Sequence, residues 1–150
     1  MSSKQRTPEQ ISFLMSRIRS TNTQPEILFG KSLYKLGVRY RKQINVIGKP
    51  DFGIKKYKIA IFIDGDFWHG HVWVLKGYAS INSELRKYSK FWRDKIRRNV
   101  RRDVFVNYEL TLLGWKIFRF WASDIKKDSD KCAKKVFFYM KRKGLITKSL

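Results

Sequence analysis

The sequence predicts an α/β (α+β) fold: a single domain over residues 1–150, with a mixed central β-sheet flanked by helices in the order ααβββαβα. Three observations predict it. Lys58-Ile59-Ala60-Ile61-Phe62-Ile63 is polar at its start and then an unbroken β-branched and aromatic run, which suits a strand covered on both faces. Between Glu84 and Leu113, apolar residues recur at steps of three or four, the period of a helix. The chain has 150 residues, 43% of them hydrophobic, and no internal repeat, which is enough for one core.

Thr7-Pro8-Glu9-Gln10 opens the first helix, with a capping threonine, a proline at the first helical position and a glutamine able to reach back. Ile11, Leu14, Met15 and Ile18 form its apolar stripe. Thr23-Gln24-Pro25-Glu26 repeats the start signal, and Ile27, Leu28, Leu33 and Leu36 carry a second helix to Gly37. Val38 to Val46 alternates and reads as an edge-like strand whose basic residues face solvent or a polyanion. Asp51 to Ile54 and the strand from Lys58 flank a polar spacer and read as a hairpin. From Val72 to Ser83 the pattern dissolves, which predicts a flexible loop of functional length. The long helix follows, its stripe made of Trp92, Ile96, Asn99, Asp103, Val106 and Leu110, and Gly114 ends it. Trp115 to Trp121 reads as a strand, and Asp128 to Lys143 as a last helix closed by Gly144.

With 34 Lys and Arg against 12 Asp and Glu, the formal charge of +22 calls for an anionic partner, nucleic acid first. A membrane surface fits less well, because the basic residues are spread over several segments and no apolar run could span a bilayer. The lone Cys132 excludes an internal disulfide. It falls in the last helix facing the core, and no signal-type apolar run follows Met1-Ser2-Ser3-Lys4, so a reducing, cytoplasmic location is expected.

The chemistry gathers between Gly48 and His71, which hold both histidines of the chain. If Lys55 to Lys58 is a four-residue loop, Ile54 pairs with Ile59, Asp51 lies opposite Phe62, and Asp64 is its diagonal neighbour at roughly 7 to 8 Å. Asp51, Asp64 and the Ile63 carbonyl are then hard oxygen ligands of the kind Mg²⁺ accepts. The competing reading makes the two acids solvated turn residues. His69 is in reach of whatever Asp51 holds and could take a proton from water attacking a phosphodiester; alternatively it caps its loop. Phe67 and Trp68 sit between Gly65 and Gly70, either as core anchors or, helped by Met15, as wedges between base steps. Asp103 is an acid on an apolar stripe and must be paired, with an arginine or a histidine; Asn99 is the other polar residue there. Arg93, Arg97, Arg98, Arg101 and Arg102 cover the remaining faces, where their guanidinium forks suit phosphate oxygens or simply solvent. Glu26 reads as a capping-box acid.

These residues resemble a known family. Lys49-Pro50-Asp51, Ile61-Phe62-Ile63-Asp64-Gly65 and Phe67-Trp68-His69-Gly70, with Lys95-Ile96-x-x-Asn99-Val100-x-x-Asp103, look like the signature of very-short-patch-repair (Vsr) mismatch endonucleases of the PD-(D/E)xK nuclease group. The likeness runs from about Thr7 to Ile125. It implies a restriction-endonuclease-like fold and a Mg²⁺-dependent enzyme that nicks one strand of double-stranded DNA at a T:G mismatch left by deamination of methylated cytosine. It implies Asp103 as the partner that orients His69, and places Glu26 by the metal-bound water network. Such an enzyme is expected to be a monomer, cytoplasmic and nucleoid-associated, working with mismatch-repair helper proteins. Many members hold a structural zinc through Cys and His in and after this loop, but here the cysteine positions read Asp66 and Trp73, so no zinc is expected. Where some members have a histidine, this chain has Asp64. Two other functions compete: a restriction-type or nicking endonuclease reading an intact short sequence, and a basic DNA-binding protein without catalysis.

Overall fold

The computed structural model describes residues 6, 7, 9, 10 and 22–147. At the N-terminal end, Gln10 N–H donates to Thr7 Oγ1 at 3.2 Å and Thr7 N–H donates to Gln10 Oε1 at 2.9 Å, the reciprocal cap expected of this sequence. The apolar stripe of that first helix, Met15 included, lies outside the described residues.

Helix α1 (Gln24–Lys35) has Pro25 in its first turn and buries Glu26, Phe29 and Leu33. Strands β1 (Arg41–Lys42), β2 (Phe52–Ile54), β3 (Ile59–Asp64) and β4 (Lys116–Trp121) form one sheet in that order. The β2–β3 hairpin has the expected register, with Ile54 opposite Ile59 and Phe52 opposite Ile61. Its spacer is a 3₁₀ turn at Lys55–Tyr57, closed by Lys58 in the left-handed region. Pairs β1–β2 and β2–β3 are antiparallel while β3–β4 is parallel, so the sheet is mixed, and β3 lies inside it.

Alternation along β3 divides the core. Ile59 and Ile61 pack with Phe29, Phe52, Phe120 and Phe137 on one face, under α1, α5 (Ala122–Lys127) and α6 (Ser129–Arg142). Ala60 and Phe62 pack with Val106 and Leu110 of α4 (Lys90–Leu112) on the other. A third cluster, Leu85, Tyr88, Trp92 and Ile96, carries Phe67 and Trp68 on its flank. Cys132 is buried in α6, as its position in an apolar stripe predicted.

Four elements differ from expectation. The strand foreseen over Val38–Val46 pairs only at Arg41–Lys42, because Gln43 turns to a φ of 50° and sends Ile44 inward over Gly53. The loop foreseen at Val72–Ser83 contains helices α2 (Val72–Leu75) and α3 (Ile81–Leu85). Ser80 caps the second, and the buried carboxylate of Glu84 accepts Trp73 N–H at 2.6 Å, a tertiary tie with no periodic signature. That segment also delays the long helix, which begins at Lys90 rather than near Glu84. Finally, α5 adds a short helix between the last strand and the last helix, so three short helices interrupt the foreseen order. Among the described residues no helix is long and apolar enough to cross a membrane.

Candidate active site

The face of the sheet under α4 carries the site. Period-two alternation puts Asp64 on the same face as Ala60 and Phe62, and the parallel register sets Arg119 of β4 beside Phe62. From above, α4 contributes Asn99, Asp103 and Asn107, one turn apart on its inner side. Asp51 enters just before β2. Asp51, Asp64, Asn99, Asp103 and Arg119 line one cleft of about 290 Å³, together with His69 and the loop at Gly48. Gly48 has a φ of +79°, and a Cβ there would come within 2.4 Å of Val106 Cγ1, so only glycine lets that loop close against α4.

Asp51 Oδ2 accepts Ile63 N–H at 2.7 Å. Ile63 therefore meets Asp51 through its amide. Burial pushes the Asp51 carboxyl up to about 6, against the lowering effect of that hydrogen bond, and the charges of Glu26 and Asp64 push it further the same way. Asp64 is also raised, chiefly by burial, although His69 and Arg119 beside it favour its charged form. Glu26, in the first turn of α1, accepts Asn22 N–H at 2.9 Å and is raised by burial. Burial thus raises all three carboxyl groups.

Two successive turns, His69 N–H to Gly65 O at 3.1 Å and His71 N–H to Asp66 O at 2.8 Å, fold the loop back over the end of β3. His69 Nδ1 thereby meets Asp103 Oδ2 at 2.5 Å and lies 3.7 Å from Asp64 Oδ1. Burial alone would lower the imidazole pKa. The hydrogen bond to Asp103 and the charges of Asp64 and Asp103 outweigh it, and the net direction is upward. With Nδ1 held, Nε2 is the nitrogen left for chemistry. One ligand atom from each of Asp64, His69 and Asp103 lies within 4.8 Å of the others, close enough for a shared cation.

The remaining expected residues fall into place as follows. Phe67 and Trp68 are half-buried, both edge-on to Trp92 with centroids 5.8 and 5.0 Å apart, Phe67 also tilted against Tyr88 at 5.1 Å, and Lys95 Nζ sits 4.5 Å over the Trp68 ring. Asn99 Nδ2 donates to Trp68 O at 3.1 Å and so fixes that loop to α4. Arg97 and Arg101 are exposed, while Arg93 is half-buried and donates to Tyr88 O. Both foreseen partners of Asp103 are present, since its other oxygen lies 3.3 Å from Arg119 Nη1, although the arginine comes from a strand.

A zinc does not fit the place where related loops hold one. Asp66 Oδ1 accepts from His71 Nδ1 at 2.7 Å and from Ser123 Oγ at 2.7 Å, and its Oδ2 accepts Ser123 N–H at 3.0 Å. The His71 ring stacks on Trp121 at 3.9 Å and 2°. One carboxylate and one imidazole, already bonded to each other and with no thiolate near, make a poor zinc site.

Arg119, Asn107 and Ser123 were not foreseen. Arg119 carried a signal: a charge in the middle of Lys116-Ile117-Phe118-Arg119-Phe120-Trp121 must find a buried partner. Ser123 carried none, because its role depends on a contact between distant segments.

The sequence profile described as DNA mismatch endonuclease Vsr matches residues 3–75. The chain is 44% identical to the type II nicking enzyme V.NmeDIP of Neisseria meningitidis serogroup C, over 87% of this chain and 85% of that one. It is 44% identical to the type II nicking enzyme V.HpaIIP of Haemophilus parainfluenzae, over 83% and 86%. It is 32% identical to the DNA mismatch endonuclease Vsr of Escherichia coli, over 75% and 69%. With this extent of likeness, and with a carboxylate cleft beside a histidine–aspartate pair, the chain belongs to the Vsr family of DNA mismatch endonucleases and is a DNA endonuclease.

Proposed function

We propose that this endonuclease cuts one strand of double-stranded DNA at a T:G mismatch, in a Mg²⁺-dependent hydrolysis carried by Asp51, Asp64, His69 and Asp103. The observation that supports it most is the convergence of these four side chains in one cleft. Asp51 and Asp64, with the Ile63 carbonyl, would hold the cation, and the raised Asp51 carboxyl fits a site whose acids await a positive charge. When bound, Mg²⁺ supplies Lewis-acid stabilisation of charge on the phosphate. His69 Nε2 takes a proton from the attacking water while Asp103 holds the ring through Nδ1. The water oxygen bonds to phosphorus, the bond to the leaving oxygen breaks, and that oxygen takes a proton from solvent. Glu26 bears on the cation site through its charge near Asp51.

Exposed Arg97 and Arg101 line up with phosphates of the duplex, Arg93 and Asn99 hold the DNA-facing loop, and Phe67 and Trp68, with Met15, open the base step. Opening costs less at a mismatch, where pairing is already weak, so these rings select the site. In this reading the enzyme is a cytoplasmic monomer of one domain, assisted by mismatch-repair helpers. A second reading, nicking at an intact short sequence, is kept because two of the relatives quoted above are named type II nicking enzymes, a name that specifies no mismatch. Purified protein with Mg²⁺ is incubated with duplexes that differ in a single T:G pair. Cleavage of one strand only at the mismatch is expected; equal cutting of the paired duplex would install the second reading.

A further inference from the structure

We propose that Arg119 is a catalytic residue, the guanidinium that grips the scissile phosphodiester, and that Asp64 and Asn107 hold it ready in the DNA-free chain. This rests on the endonuclease reading of the same cleft and adds a residue to it.

Arg119 is built in as few surface arginines are. It stands mid-strand with its side chain 18% exposed. Nε donates to Asn107 Oδ1 at 2.7 Å, Nη1 donates to both Asp64 oxygens at 2.9 and 3.1 Å, and Cζ lies 4.0 Å over the Phe62 ring. Among the described residues Nη2 has no hydrogen-bond partner, and it is not sealed from water. Nε and Nη1 are therefore spent on positioning and Nη2 is free.

The cleft that must receive a phosphate is lined by Asp51, Asp64 and Asp103, which repel it. Lys49 and Arg102 also line it but are exposed, so Arg119 is the cation there with a fixed direction. A guanidinium fork matches two phosphate oxygens and is worth most where negative charge grows during reaction. Asp103 contacts both Arg119 and His69, so a phosphate taken by Arg119 sits beside the imidazole that activates water. When a phosphate oxygen displaces Asp64 from Nη1, the Asp64 oxygens are released toward the cation.

The test couples protein to substrate. After mapping the wild-type cut in Mg²⁺, the phosphate at that position is replaced by an uncharged methylphosphonate, and duplex binding is measured in chelator for wild type, Arg119→Met and Arg119→Lys. The replacement is expected to weaken wild-type binding roughly tenfold, Arg119→Met binding by less than about twofold, and Arg119→Lys binding by an intermediate factor. Arg119→Lys keeps the charge and carries the comparison alone if Arg119→Met does not fold. Equal weakening in all proteins would overturn the assignment. A wild-type protein that cuts no duplex defeats the endonuclease reading itself, which is a separate outcome.

Discussion

Two histidines lie two residues apart, and each gives Nδ1 to an aspartate, His69 to Asp103 and His71 to Asp66. Their surroundings differ in what is left over. Asp66 has its oxygens taken by His71 and by the Ser123 amide and hydroxyl, and His71 is laid flat on Trp121. That pair is finished; it ties the loop after β3 to the junction of β4 and α5. Around His69, Asp64 and Asp103 share a single arginine, Asp51 lies nearby, and the group opens on a cleft. A histidine–aspartate pair is thus no sign of catalysis by itself. Excess negative charge beside the ring and an opening on a cleft separate the pair proposed for catalysis from the structural one.

The largest expected difference is between His69→Ala and His71→Ala. Loss of the proposed general base should cut the single-turnover cleavage rate by about 10²–10⁴-fold with little change in melting temperature. His71→Ala should do the opposite, lowering the melt while each folded molecule still cuts. If both variants lose rate equally at full stability, the contrast collapses. Next is Asp66→Ala, which leaves the Ser123 amide and hydroxyl and the His71 ring without their acceptor. Denaturant unfolding should report a loss of about 2–3 kcal/mol, and excess chelator should leave the wild-type midpoint where it was. A midpoint that falls with chelator would mean a metal, not Ser123, holds Asp66.

The smallest effect sharpens the open side of the comparison. Asp51 has a folded-state pKa of about 6 against an ordinary value of 3.8, so folding favours its protonated form. Its contribution is full below about pH 4 and is lost as pH rises through 6, leaving the chain burdened at neutral pH. Asp51→Asn removes the burden. Without divalent cation the variant should match wild type near pH 4, then gain on it to a plateau above pH 6 of at most about 3 kcal/mol. Added Mg²⁺ should narrow that gap by stabilising only the wild type. A gap that is constant from pH 4 to 8 would contradict a strained carboxylate.

What was legible in the sequence had a period or a fixed loop length behind it. The hairpin register followed from a four-residue spacer, and with it the nearness of Asp51 to Ile63. The partner problem of Asp103 followed from an acid on an apolar stripe. Arg119 was missed because its strand was read for its apolar residues, although the same argument that singled out Asp103 applies to it. Helices α2 and α3 and the Asp66–Ser123 tie were beyond local reading. They depend on Glu84 reaching Trp73, and on Ser123 reaching a loop 57 positions away, contacts that leave no trace in neighbouring residues.

The parallel pairing of β3 with β4 has a further consequence for how such an enzyme changes its target. Parallel neighbours cannot be joined by a tight turn, so the chain must travel back across the sheet before β4 begins. That return path contains the two short helices, His69 and Asp103, and also Phe67, Trp68 and the arginines of α4, the parts proposed to meet DNA. Insertions and substitutions there can remodel recognition without disturbing the ladder that sets Asp64 against Arg119. The cation side of the cleft is thereby pinned by strand register, whereas His69 and Asp103 ride with the site-choosing parts on the excursion between the same two strands, so selection can vary that excursion only where it leaves the histidine–aspartate pair in place.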